Sequence, residues 1–165
     1  MKKQAELVLI DRIKSKFPKA VVDTIVDRGE VTHVIEASEI VEACKFVKSD
    51  EELQMVYLSD VCGVDYHPRK PRFEVVYHML SLKKNLRLRL KVRLAEGESV
   101  DSVTGVWRSA NWYERETFDM FGIEFEGHPD LRRIYLAEDW EGHPLRKDYP
   151  LKGFKDDLNP NGIEE

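Results

Sequence analysis

A chain of 165 residues is the right size for one domain with a hydrophobic core, and its 42% apolar residues are enough to build one. Its 26 basic residues nearly balance its 31 acidic ones, and the net charge of -5 speaks against a general nucleic-acid binder, although the 35% charged fraction exceeds the ~25% of ordinary domains. Two cysteines, Cys44 and Cys62, are too few for a four-thiolate iron–sulfur or zinc site or for a disulfide framework, and read as core packing in a reducing, intracellular setting.

The N-terminus starts with two lysines after Met1 and then mixes charge into its apolar stretch, unlike a signal peptide. No apolar run nears the ~20 residues of a membrane span, so a role at a membrane requires another chain as anchor. Ala5 to Phe17 is predicted as a helix with Leu7, Ile10, Ile13, Lys14 and Phe17 on one stripe, ended by Pro18. Ala20 to Asp27 and Val31 to Glu36 read as strands around the turn Arg28-Gly29-Glu30. Ser38 is placed to cap a helix that carries Ile40, Val41, Cys44 and Val47 on one face. A further strand falls within Met55 to Tyr66, followed by a loop with Pro68, Pro71 and three basic residues.

Phe73–Leu82 and Leu86–Leu94 are predicted as a hairpin, the second strand alternating strictly. A three-residue loop, Lys83-Lys84-Asn85, sets Val76, His78, Leu80 and Leu82 on the face of Leu86, Leu88, Leu90 and Val92, which makes His78 a core residue. Phe73, Val75, Tyr77 and Met79 then share the other face with Arg87, Arg89, Lys91 and Arg93. Val100 to Trp107 holds a short helical turn. Asn111 opens a helix with a capping-box partner at Glu114 and a C-cap at Gly122, and a short strand is expected near Arg132–Leu136. Residues 1–151 thus read as a single α+β domain, two layers with a mixed, mostly antiparallel sheet in the order α-β-β-α-β-β-β, followed by a helix and a loop-rich segment. Residues 152–165 form an extended C-terminal tail.

The chain carries neither a G-x-G-x-x-G nor a G-x-x-x-x-G-K phosphate loop. Three patterns invite chemistry. His128 and His143, near Glu126, Asp130, Asp139 and Glu141, resemble the donors of a metal-dependent hydrolase, yet both precede proline and their spacing matches no zinc motif. Arg87, Arg89, Lys91 and Arg93 offer cations for phosphates, but their strand has no aromatic residue to stack bases. Glu116 shares a helical stripe with Trp112 or Tyr113 and with Met120, where a carboxylate needs a partner or a raised pKa. Acid–base catalysis and an ion-pair network with Arg132, Arg133 or a second protein both answer that need, and an interface explains so many charges and aromatics more economically.

The runs Asn111-Trp112-Tyr113-Glu114-Arg115-Glu116, Phe118-Asp119-Met120-Phe121-Gly122-Ile123 and His128-Pro129-Asp130-Leu131-Arg132-Arg133-Ile134 closely resemble the signature of the C-type, or thirty-kilodalton, subunit of NADH:quinone oxidoreductase (complex I). Glu138 through Leu151 continues the match, and Leu58 through Tyr66 is similar to the family as well. The resemblance implies a non-catalytic α+β subunit in the hydrophilic arm. It packs on the D-type subunit and the B-type cluster subunit, peripheral on the cytoplasmic side of the bacterial cell membrane. It implies no cofactor on this chain, with NADH, FMN, iron–sulfur clusters and quinone held by partner subunits. Glu114, Arg115, Glu116, Asp119, His128, Asp130, Arg132, Arg133, His143, Arg146, Lys147, Asp148 and Tyr149 become partner contacts, and the tail lies along the D-type subunit. Related subunits of membrane-bound hydrogenase-type complexes are the alternative.

Overall fold

The computed structural model describes residues 2–154 and 159–163. Helix α1 (Lys2–Lys16) leads into the hairpin of β1 (Val21–Asp27) and β2 (Glu30–Ile35). Helix α2 (Ile40–Ser49), β3 (Tyr57–Asp65), β4 (Phe73–Ser81) and β5 (Leu86–Leu94) follow. The strands form one sheet in the order β1-β2-β5-β4-β3, in which β2 and β5 run parallel and every other pair antiparallel. This is the mixed, mostly antiparallel α+β sheet predicted. Beyond it, β6 (Val100–Asp101) pairs parallel with β7 (Phe125–Glu126), and α3 (Ala110–Phe121) lies between them in sequence.

The hairpin exists, but its register is one residue off the expectation. Ser81 pairs with Leu86 and Tyr77 with Leu90, so the loop has four residues, 82–85, with Asn85 at φ 52°. Because side chains alternate with period two, this one-residue change exchanges the faces of β4. Phe73, Val75, Tyr77 and Met79 join Leu88, Leu90, Val92 and Leu94 in the core with Leu9 and Ile13 of α1 and Ile40, Ala43, Cys44 and Val47 of α2. His78 is therefore not a core residue: it lies half-buried on the other face, opposite Arg89. That face is held by ion pairs of Lys91 with Glu74 (2.8 Å), Arg93 with Glu74 (3.2 Å) and Arg89 with Glu30. Val76, opposite Lys91, is only 4% exposed, so the long cationic stems serve as apolar cover. Cys62 pairs with Val76 on this face and is only half-buried, so Cys44 alone packs in the core as expected.

Other local expectations are corrected. The buried stripe of α1 is centred on Leu9 and Ile13, and Leu7 is exposed. Ser38 does not cap α2: it sits in a 3-10 turn, Ala37–Glu39, where the Glu39 amide already bonds to Glu36 O, and Glu39 takes the N-cap place. Val100–Asp101 is strand, and the expected turn is confined to Val103–Trp107, where the Val106 and Trp107 amides bond to Val103 O. Helix α3 starts at Ala110, not Asn111, because that turn runs straight into it. Gly122 ends it in the left-handed conformation (φ 70°), its amide bonded to Phe118 O at 2.8 Å. Residues 131–136 form no strand. The described part of the tail does not run extended: the Ile163 amide bonds to Gly153 O (2.9 Å), and Phe154 pairs with Ile163.

Candidate functional site

The signature residues gather around α3, which packs against β3. A Cβ at Gly63 would sit 2.7 Å from the Phe121 ring, so only glycine permits the approach, and the Thr117 hydroxyl donates to Val61 O of the strand. At the start of α3, Glu114 is 0% exposed. Its carboxyl does not close a capping box. It accepts from the Val103 amide (2.7 Å) and bonds to the Ser102 hydroxyl (2.6 Å), fastening the turn before α3 to the helix. The nearest basic group is His128 Nε2 at 3.9 Å. That ring is occupied by Asn111 O at Nε2 (3.2 Å) and the Asp130 amide at Nδ1 (3.0 Å), a pattern that fixes it neutral. Burial pushes the Glu114 carboxyl up to about 7, while its two hydrogen bonds pull the other way.

The pH dependence follows from that shift. Between the ordinary value and about 7 the folded chain holds a proton that the unfolded chain releases, so stability falls as pH rises through this window and levels off above it. Buried His33, pushed down to about 4, acts with opposite sign below its ordinary value. Glu114→Gln copies the protonated acid, so subtracting the two proteins isolates Glu114. The melting temperature of the variant relative to the parent should rise from pH 5 to pH 8, by an amount on the order of 3 kcal/mol of stability. A difference that stays constant with pH would mean that Glu114 titrates normally.

One helical turn later Asp119, also 0% exposed, organises the loop after α3. Oδ2 accepts the amides of Ile134 (3.0 Å), Tyr135 (2.8 Å) and Leu136 (3.1 Å), which is why no strand forms there. Oδ1 accepts Arg133 (2.8 Å), whose guanidinium also reaches the carbonyls of Trp140 and Gly142 at 2.9 Å. Burial alone would raise this carboxyl, but these donors outweigh it and hold it below its ordinary value. Arg115 donates to the carbonyls of Arg132 (3.0 Å) and Arg133 (3.1 Å), and its guanidinium lies over the Trp112 ring. His143 Nδ1 bonds to Asp119 O (2.9 Å), and its ring meets Phe118 edge-on.

A second knot straps the chain back onto the sheet. Arg72, before β4, donates twice to Asp65 of β3 (2.9 and 3.1 Å), once to Glu96 (2.9 Å) and once to Asp148 (2.6 Å). The Lys147 amide adds a bond to Asp65 (2.8 Å), and Arg146 donates to Phe121 O (2.6 Å) and Glu96 (3.3 Å). Tyr149 donates to Glu141 O and packs edge-on against Phe154. A Cβ at Gly122 would collide with His143 and Arg146, so this glycine serves the strap as well as the helix cap.

The structure thus divides the expected contact residues. Glu114, Asp119, Arg115 and Arg133 are turned into intramolecular struts, as are the rings of His128 and His143. Burial removes the two carboxylates from any outer surface. Glu116 lies exposed, with no ion-pair partner among the described residues. Asp130 and Arg132 pair with each other on the surface at 3.0 Å. Among the described residues no three His, Cys, Asp or Glu side chains converge as metal donors. Sequence reasoning missed Arg72, Glu96 and Ser102. Arg72 stood out only as one of three basic residues in a proline-bearing loop.

The family model described as "Respiratory-chain NADH dehydrogenase, 30 Kd subunit" matches residues 33–155. The chain belongs to this family. It is 52% identical over 157 residues to a C-type NADH-quinone oxidoreductase subunit of Rhizobium meliloti (strain 1021), covering 95% of this chain and 86% of that protein. It is 49% identical to the C-type NADH-quinone oxidoreductase subunit of Roseiflexus sp. (strain RS-1), covering 87% and 83%. Its fold is similar to a chain in the structure of the membrane-bound sulfane sulfur reductase, an archaeal respiratory membrane complex: TM-score 0.75, 23% identity, 88% of this chain and 85% of that one. The 30 kDa-subunit match spans β2 to Phe154 and so contains both knots, Arg72–Asp65–Asp148 and Asp119–Arg133. No helix among the described residues is long and apolar enough to cross a membrane.

Proposed function

We propose that this chain is the C-type subunit of the peripheral arm of a proton-translocating NADH:quinone oxidoreductase. It is a non-catalytic scaffold that packs on the D-type subunit and beside the B-type cluster subunit, on the cytoplasmic side of the membrane. NADH, FMN, iron–sulfur clusters and quinone are held by those partners. The observation that carries the reading is the 52% identity to a C-type NADH-quinone oxidoreductase subunit over 95% of the chain. The division of the signature region supports it. Its buried charges build a rigid frame, while Trp112, Tyr135, Leu145 and Leu151 remain exposed on the outside, where apolar and aromatic side chains gain from cover by a partner. The fold shared with a chain of a sulfane sulfur reductase complex favours, as a second reading, the equivalent place in a related respiratory complex.

Co-expression with the D-type subunit should yield a heterodimer by size-exclusion chromatography, and failure to associate across salt conditions would sink the proposal. Arg132→Glu tests the outer face. Arg132 and its one ion-pair partner among the described residues, Asp130, are both exposed, so the reversal should leave the melting temperature within about 2 °C. It should weaken the heterodimer roughly tenfold or more by calorimetric titration. Metal analysis of the purified chain tests the cofactor claim: a stoichiometric transition metal lost with His128 and His143 would overturn it.

A further inference from the structure

We infer that the groove between the end of α2, the start of β3 and the turn before α3 is the seat of an acidic, apolar segment of a partner protein. Such a segment carries a carboxylate beside an aliphatic or aromatic side chain. The inference rests on the reading of the chain as an assembly subunit and adds to it a place and an occupant. The lining is mixed: Val56 and Tyr57 at the start of β3 are 53% and 50% exposed and supply the apolar part, beside the largely buried Val106 and Trp107 of the turn and the polar Thr104 and Ser109. Its charged groups are Lys48 and Arg108, both cations, in a chain whose net charge is -5. Lys48 is held in place, its ammonium donating to Val106 O and lying 5.8 Å from the Trp107 ring centre. Arg108 is exposed and has no ion-pair partner among the described residues.

One further feature favours negative charge here. Helix α3 begins at the groove with no side-chain cap from Ser109 and no acidic residue in its first turn, so no side chain of that turn offsets the positive end of its dipole. A two-fold contact of this groove with itself would bring cations against cations. A nucleic acid or anionic lipid surface calls for cations spread along a face, whereas here there are two cations, in a groove that also exposes Val56 and Tyr57. A protein segment with an apolar anchor and an adjacent acid satisfies both parts.

The test places a benzophenone amino acid at position 56 of the full chain, and at position 151 as a control. Each is co-expressed with the D-type and B-type subunits and irradiated. Position 56 should crosslink to one peptide of a partner subunit that carries aspartate or glutamate next to apolar residues. Arg108→Glu should cut that yield roughly tenfold at low salt while leaving the yield at 151 and the melting temperature unchanged. Crosslinking at 151 with none at 56 overturns the groove and leaves the assembly reading standing. A crosslink from 56 to a second copy, or to a segment without acids, overturns the occupant. No co-purification and no crosslink at either position sinks both.

Discussion

Replacing Arg72 by methionine should cost about 3–5 kcal/mol of stability, because it strands a carboxylate inside the protein. Asp65 has a fully buried side chain, and Arg72 is its cation. Methionine keeps much of the bulk over Phe73 but supplies no donor. For a domain of this size the melting temperature should fall by roughly 10 °C or more in calorimetry. Asp65→Asn combined with Arg72→Met should recover a large share of that loss, since the main penalty is the unpaired charge and not the missing contact. If the double variant is as damaged as the sum of the single ones, the strap is held by packing instead. The carboxyl of Asp65 also sets an acid limit. Burial would raise it, but Arg72 and the amides of Lys147 and His67 together push it down to about 2. Its stabilisation is therefore present above the ordinary carboxylate range and is lost as pH falls from about 4 towards 2. Arg72→Met should flatten that acid limb.

The sheet was legible because its information is local. Leu86 to Leu94 alternates without a break, and β-rich segments around Gly29 can only turn back. What local pattern does not supply is the turn geometry, and a loop of four residues in place of three moved His78 off the core and Tyr77 into it. The signature region was legible as a family mark but not in its internal pairings. Its charges read as surplus for one small domain, and the inference to a second protein followed. Yet Glu114 finds its partners 11 and 12 residues away, and Arg72 meets Asp148 across 76 residues. Such pairings carry no periodic trace. The presence of apolar neighbours on α3 did hint that a carboxylate would be buried, but the helix phase selected Glu114 and not Glu116. The capping-box spacing at Asn111 offered a false local partner for the same residue.

Asp119→Ala should be comparably severe, about 3–5 kcal/mol, and for a reason confined to one loop. The substitution leaves the amides of Ile134, Tyr135 and Leu136 without their acceptor and Arg133 without its carboxylate. Water can reach some of these groups only if the loop opens, so hydrogen exchange should quicken over residues 131–143 while β4 and β5 keep their protection. Asp119→Asn retains one acceptor oxygen and the shape, and should lose less. Arg133→Glu should resemble Asp119→Ala, in contrast to Arg132→Glu, since the two arginines adjoin in sequence but face inward and outward. Association with the D-type subunit separates a strut from a contact. If Asp119 acts as a strut, its variant should assemble poorly at 37 °C and recover on cooling, where the folded loop is repopulated. A contact residue would stay defective at every temperature. Recovery that tracks exchange protection over residues 131–143 would locate the role of this carboxylate in shaping the loop that displays Tyr135.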